Sequence, residues 1–239
     1  MNKTVKVLER GDAQSTRNPT QEEASLLSLR GFGLAGLLAM LVIFLSSAFS
    51  APVGAVLVLL WAWLSGTPWE EIGYVRPKSW AGTLAVGVGV GVAFKFAMKA
   101  IVMPLLGADP VNHVYHFLSG NRAALPGMIS LVTIGAGFGE ETFYRGYLFE
   151  RLGKLLGSSV AARLAILVVT SVVFAAAHYH DQGLAGAEQA TMTGFVFGVM
   201  LLRTRTIVLP MIAHAAFDLT AVWIIYANLE ARIGHLIFR

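Results

Sequence analysis

The sequence predicts an all-α fold, a polytopic bundle of membrane helices. Apolar residue types make up 56% of the 239 residues and charged types only 13%, against roughly 25% charged in soluble domains. The mean hydropathy is +0.66, and the apolar residues form long runs instead of alternating with polar ones. These observations exclude an ordinary soluble domain and make the lipid bilayer the main partner of the chain.

Seven apolar runs approach the length of about 20 residues that crosses hydrocarbon as a helix. The runs cover residues 31–48, 52–65, 82–106, 124–150, 161–178, 186–202 and 206–226. We therefore expect about seven transmembrane helices, or eight helices if the C-terminus adds a short one. Residues 1–28 have mixed charge and no apolar period, so they form a polar tail before a membrane domain of residues 29–239.

Lysine and arginine are concentrated in alternate loops of this topology. They occur in four segments, 1–30, 66–81, 151–163 and 203–205. The loops 49–51 and 179–185 contain neither residue type, whereas Arg122, Arg232 and Arg239 do not follow the pattern. Because basic loops remain in the cytoplasm, we expect a protein of the cytoplasmic (inner) membrane with a cytoplasmic N-terminus. The net charge of +4 then reflects topology, and no nucleic-acid partner is expected.

Two adjacent carboxylates interrupt the fourth apolar run. Glu140 and Glu141 are followed by Arg145. An ionised group near the centre of a bilayer costs roughly 2.5–3.5 kcal/mol on insertion scales, so such groups indicate function. Glu141 and Arg145 lie four apart on one helical face and favour pairing, while Glu140 is free to accept or release a proton. The alternative is a buried salt-bridge cluster that only braces the helices.

Two later runs also carry polar pairs at helical spacing. Phe174 and His178 lie four apart in the fifth run, and His214 and Asp218 in the last. Three such pairs on three helices avoid lipid only by sharing one polar interior. The set can activate water for attack on a carbonyl and stabilise the oxyanion. It can equally hold zinc through Glu140, His178 and His214, with a position left for water.

Other polar residues have simpler interpretations. Lys95 and Lys99 share one face of the third run, and we expect them to extend toward an interface rather than to line a polar cavity. His113 and His116 in loop 107–123 have no third ligand nearby, so we expect a plain surface loop rather than a metal site. The chain has no cysteine, which excludes disulfides, thiolate zinc sites and cysteine nucleophiles.

The three motifs resemble those of the CPBP family of intramembrane proteases. This family includes the type II CAAX prenyl proteases and bacterial abortive-infection and bacteriocin-processing proteins. The matching motifs are EExxxR at Glu140, FxxxH at Phe174 and HxxxN/D at His214, within about residues 124–220.

The resemblance implies a helical metallo- or glutamate endopeptidase. Glu140 and His178 would activate the water, His214 and Asp218 would stabilise the oxyanion, and the paired charges beside Glu140 would support the site. Asp218 departs from the asparagine of the prenyl-protease branch. An ionised aspartate offers no donor, so Asp218 is protonated, or orients His214, or belongs to a metal site.

We therefore expect hydrolysis of a peptide bond in a membrane-associated peptide or protein, of the CAAX or leader-peptide type. The alternative is a non-catalytic membrane scaffold or partner-binding protein that retains the polar cluster for packing. A third hypothesis, a proton-coupled transporter, is disfavoured because the sequence has no internal repeat of the kind many transporters carry.

The helix ends expected from the sequence place the three catalytic candidates at different depths in the membrane. Counted from cytoplasmic ends near residues 152, 161 and 206, Glu140, His178 and His214 would lie about 18, 26 and 12 Å deep at 1.5 Å per residue. One site cannot span that range. Either these ends are wrong by several residues, or the helices are tilted or broken.

Overall fold

The structure, a computed structural model, describes residues 21–238 as a bundle of helices without a β-strand. Residues 1–20 of the predicted polar tail lie outside the described residues. The helices are α1 (Gln21–Ser28), α2 (Leu34–Phe49), α3 (Ala51–Leu64), α4 (Trp80–Leu105), α5 (Arg122–Leu156), α6 (Val160–Thr204), α7 (Val208–Tyr226) and α8 (Glu230–Gly234). The predicted all-α membrane fold is confirmed.

Four of these helices, α4 to α7, are long and apolar enough to cross a membrane. Helices α2 and α3 are apolar but shorter, with 16 and 14 residues, which corresponds to about 24 and 21 Å. All seven predicted spans fall on helices, because α6 carries two of them. The short α8 is the additional C-terminal helix expected from the sequence.

Helix α6 is a hairpin of two helical halves rather than one straight rod. The chain reverses at Gly183, which has φ 64° and ψ −159°, a conformation open to glycine but not to other residues. The halves meet through small residues: a Cβ on Gly194 would lie 3.0 Å from the Cα of Ser171. Ala175 and Ala190 share one buried cluster. The predicted loop 179–185 is therefore too long, because helical structure continues up to the glycine on both sides.

Helix α5 carries both adjacent glutamates on a π-helical stretch. Leu131–Leu148 form hydrogen bonds from residue i to i+5, whereas π-helix elsewhere mostly occurs as single turns, often at functional sites. The wider turn leaves a smaller angle between successive side chains than the α-helix assumed from the sequence. Glu140 and Glu141 consequently both approach α7.

The basic loops gather at one end of the bundle, which we call the basic end. Arg30 and Lys154 lie 2.6 and 2.9 Å from the same carboxylate oxygen of Glu71. The guanidinium of Arg151 donates to the Arg30 carbonyl oxygen over 2.8 Å. These contacts join the segment before α2, the α3–α4 loop and the end of α5.

Helix α7 begins inside the bundle, which removes the conflict over depth. The Ile207 N–H donates to the Gly73 carbonyl oxygen over 2.7 Å, and Ile207 is fully buried. Helix α6 instead begins at the exposed Ser159, whose Oγ accepts from the Ala162 N–H. The assumption that all three helices start at one level is therefore wrong, and the three catalytic candidates can meet.

Candidate active site

The centre of the polar cluster is a contact between α5 and α7. The Nδ1 of His214 lies 2.7 Å from Oε1 of Glu141, and Nη1 of Arg145 lies 3.0 Å from the same oxygen. All three side chains are buried, and Glu141 is completely so. Because an ionised carboxylate only accepts hydrogen bonds, Nδ1 carries the hydrogen and donates. One carboxylate thus fixes the orientation of the imidazole and neutralises the guanidinium.

The other ring nitrogen of His214 faces two further carboxylates. Its Nε2 lies 3.8 Å from Oε2 of Glu140 and 3.5 Å from Oδ2 of Asp218. The side chains of Glu140 and Asp218 remain 22% and 24% exposed, against 5% for His214. A small molecule entering from the exposed side therefore meets two carboxylates and one fixed imidazole edge.

Phe174 connects the two histidines. Its ring centroid is 4.4 Å from that of His178 and 6.0 Å from that of His214. The Nδ1 of His178 lies 2.9 Å from the Phe174 carbonyl oxygen. A carbonyl oxygen only accepts, so Nδ1 donates and Nε2 of the neutral ring is left as an acceptor. The three pairs predicted from the sequence therefore converge on one place.

Arg145 lies among aromatic faces that the motif pattern did not reveal. Its Cζ is 4.5 Å from the Phe174 centroid and 5.9 Å from those of Tyr144 and Phe197. Neither terminal nitrogen makes a well-aligned hydrogen bond among the described residues. The buried charge is held by the ion pair with Glu141 and by the faces of the rings.

A comparison with protein-family models matches residues 122–220 to the family described as type II CAAX prenyl endopeptidase Rce1-like. The matched segment contains all three motifs. This match supports a CPBP family intramembrane protease over residues 122–220. No curated protein and no solved structure matches the chain. The resemblance inferred from the motifs is confirmed, and the matched family implies membrane-embedded protease activity.

Five of the seven CPBP motif residues line a cavity of about 770 Å³, which is within the range typical of ligand pockets. Glu140, His178, His214 and Asp218 all form part of its wall. Glu141 contributes no surface to it. The four residues predicted to be catalytic therefore face the cavity, and the ion pair with Arg145 lies behind them.

Lys95 also lies in the CPBP cavity, and the prediction that it extends to an interface is wrong. The residue is only 8% exposed, and its Nζ donates to Oε1 of Gln189 over 3.0 Å. The same Nζ lies 4.6 Å from the Phe217 ring centroid. Lys99, one turn further along α4, also lines the cavity and is partly buried 3.6 Å from Glu230, so the prediction is wrong for it as well. The polar-cavity alternative is correct for Lys95, which places a cation opposite the carboxylates.

Tyr115 is a further cavity residue that the motifs do not include. Its hydroxyl accepts a hydrogen bond from Nε2 of Gln182 over 3.3 Å. Burial, together with the negative charges of Asp218 and Glu140, raises the pKa of Tyr115 above its ordinary value. The phenol thus stays protonated at neutral pH and keeps its hydrogen available for donation.

The two histidines of loop 107–123 take no part in the cluster. His113 is exposed and lies 3.1 Å from Asp109, and His116 is exposed and lies 3.5 Å from Glu230. Both histidines are exposed, but the prediction of a plain surface loop is wrong for the segment as a whole, because His113, Val114 and Tyr115 line the cavity.

The predicted zinc ligands Glu140, His178 and His214 share the cavity wall but not a metal-binding arrangement. Within residues 21–238, no group of three or more His, Asp or Glu side chains is close enough to hold an ion. Zinc binding by these three residues therefore stays a prediction from the sequence.

Proposed function

We propose that the chain is an intramembrane endopeptidase that hydrolyses a peptide bond of a membrane-associated peptide or protein, with Glu140 as the general base. The observation that carries this proposal is the position of Glu140 in the cavity wall, 3.8 Å from an imidazole that Glu141 holds in place. The Rce1-like match supports an endopeptidase of the CAAX type.

In the first step, water loses a proton to the Glu140 carboxylate while its oxygen attacks the carbonyl carbon of the substrate. The electron pair of the C=O π bond moves to the oxygen, which gives a tetrahedral oxyanion. The free Nε2 acceptor of His178 holds the second hydrogen of the water. Attack from a held water avoids the entropy loss of capturing one from bulk solvent.

In the same step, Nε2 of His214 stabilises the oxyanion. It does so as the imidazolium, whose Nε2–H donates to the negative oxygen. The carboxylate of Glu141 on Nδ1 both aims the ring and supports its positive charge. The donor is thus oriented before the charge develops, and this preorganisation is the main source of stabilisation in such sites.

In the second step, the oxyanion reforms the carbonyl and the C–N bond breaks. The proton held by Glu140 passes to the departing nitrogen, so the products are a carboxyl and an amine and the base is regenerated. Protons and electrons balance without another reactant.

Asp218 acts in this proposal as a counter-ion. Glu141 already holds Nδ1 of His214, so Asp218 is not needed to orient the ring. With Asp218 ionised, three carboxylates face three cations, namely Lys95, Arg145 and the His214 imidazolium. A neutral cluster of this kind avoids the high cost of an unpaired charge inside a membrane protein.

The proposal is tested by comparing membrane peptides in cells that carry wild type, Glu140→Gln or Glu71→Gln. Glu71 is a matched control, because its carboxylate belongs to a partly exposed ion cluster at the basic end. We expect peptides that are cut with wild type and Glu71→Gln to stay uncut with Glu140→Gln. Identical peptide profiles for all three would favour the non-catalytic scaffold instead.

A further inference from the structure

The cavity reaches only one end of the bundle, which we call the distal end. This end is held together by contacts between loop 106–121 and the C-terminal part of the chain. The Gly120 N–H donates to the Tyr226 carbonyl oxygen over 3.0 Å, and the Asn112 N–H donates to Oε1 of Glu230 over 2.8 Å. Asn112, Val114 and Gln182 line the cavity from this end.

Among residues 21–238, the basic end contributes nothing to the cavity wall. No residue of segments 66–79, 150–160 or 203–207 is among the lining residues. These are the loops that surround the buried start of α7 at Ile207. The catalytic groups are therefore closed off from the basic end and accessible from the distal end.

The hairpin of α2 and α3 also stops short of the distal end. A Cβ on Gly139 would lie 2.7 Å from the backbone carbon of Ala51, so the α2–α3 turn sits at the level of Glu140. Helix α5 continues from there toward Arg122 for about 25 Å. Phe49 at the turn lines the cavity and is 94% exposed. The distal half of the cavity is therefore open sideways, above this turn.

The distribution of arginine and lysine indicates which side of the membrane each end of the bundle faces. The arginines and lysines at the basic end are Arg30, Arg76, Lys78, Arg151, Lys154, Arg163, Arg203 and Arg205. At the distal end the described arginines and lysines are only Arg122, Arg232 and Lys99, and Lys99 lines the cavity. Because basic segments stay in the cytoplasm, the distal end faces the other side.

We propose that the substrate enters from the extracytoplasmic side, over the α2–α3 turn. The substrate class is then a membrane-anchored peptide whose scissile bond lies in the outer half of the bilayer or just beyond it. Of the CAAX and leader-peptide types expected from the sequence, this opening favours the leader-peptide type, because a CAAX tail on the cytoplasmic face meets the closed basic end and has no path to Glu140. The identification of the entering molecule as a substrate rests on the proposed protease function. The direction in which the cavity opens does not.

The absence of cysteine from the chain allows a direct test by single cysteine substitutions. Val114→Cys probes the rim, Ala177→Cys probes the cavity beside His178, and Ser158→Cys probes the exposed basic end. A small, charged, membrane-impermeant thiol reagent is applied to intact spheroplasts of an expressing bacterium. Detergent-solubilised samples of each variant show that the thiol is reactive.

We expect Val114→Cys and Ala177→Cys to be labelled in intact spheroplasts and Ser158→Cys to be labelled only after permeabilisation. The proposal is overturned if Ser158→Cys is labelled from outside, or if Ala177→Cys reacts only after permeabilisation. Labelling needs no catalysis. Loss of the expected pattern would thus refute the direction of entry, whereas an unchanged peptide profile with Glu140→Gln would refute the protease function.

Discussion

His214 and Glu141 are 73 residues apart in the chain, yet their side chains meet over 2.7 Å between α7 and α5. The same carboxylate oxygen holds Arg145. Glu141 therefore connects the positive charge on its own helix to the imidazole of another. The two adjacent glutamates therefore have different roles. Glu141 is buried behind the cavity and holds Arg145 and His214, whereas Glu140 is exposed to the cavity.

Substitution Glu141→Gln should strongly destabilise the fold. It leaves the buried Arg145 without its counter-ion and removes the ionised acceptor of His214, a type of change that costs about 3–5 kcal/mol. The matched control Glu71→Gln removes a carboxylate that is 32% exposed and paired with two cations, which should cost about 1 kcal/mol or less. Thermal unfolding in the same detergent measures both. Equal unfolding temperatures for the two variants would contradict the bracing role of Glu141.

Two alanine substitutions on α4 should have opposite effects. A Cβ on Gly91 would lie 2.3 Å from the Ala213 carbonyl oxygen, whereas a Cβ on Gly89 meets nothing within 4 Å. Gly91→Ala should destabilise by about 1–3 kcal/mol through overpacking. Gly89→Ala should stabilise by up to about 1 kcal/mol through helix propensity.

Gly91→Ala should also lower peptidase activity, because it displaces the residue next to His214. Unfolding temperatures and cleavage rates are measured for both variants. A Gly91→Ala protein as stable and active as Gly89→Ala would show that α4 and α7 are not in close contact.

Asp218→Asn should lower the cleavage rate about tenfold, equivalent to about 1.4 kcal/mol in the barrier. The substitution keeps the shape of the side chain and removes one counter-ion of the His214 imidazolium. Asp218→Leu should lower the cleavage rate further, because it also removes every polar contact at this position. An Asp218→Asn variant as active as wild type would instead indicate that Asp218 acts as a protonated donor, a role that the amide of asparagine can also fill.

The zinc prediction is tested on the purified protein by metal analysis before and after chelation, with cleavage followed in parallel. The mechanism derived from Glu140, His178 and His214 predicts full activity in metal-free protein. Stoichiometric zinc, with activity lost on chelation and restored on adding zinc, would assign these three side chains to a metal instead.

The sequence predicts the local features of this molecule well. The pairing of Glu141 with Arg145 follows from a spacing of four residues on one helix, and the apolar runs locate the helices because lipid requires them to be apolar. The convergence of three polar pairs could also be anticipated, since each pair had to avoid lipid. Their assignment to the CPBP family rests on the same residues.

The contacts between helices could not be predicted in this way. No rule of spacing relates Lys95 to Gln189, or His214 to Glu141, because the first pair depends on how α4 and α6 pack and the second on how α5 and α7 pack. The depth at which each helix begins could not be predicted from the sequence either. Ile207 looks like the start of an ordinary apolar run, and only its hydrogen bond to Gly73 places it inside the bundle.

The central claim is that Glu140 is the base, and its most direct test is the cleavage rate of purified Glu140→Gln in lipid vesicles, with a membrane peptide that wild type cuts. The substitution keeps the shape of the side chain and removes its ability to take a proton from water. We expect a loss of at least about 100-fold, as is usual for general base catalysis, with an unfolding temperature close to that of wild type. A Gln variant that cleaves the peptide as fast as wild type would contradict the account.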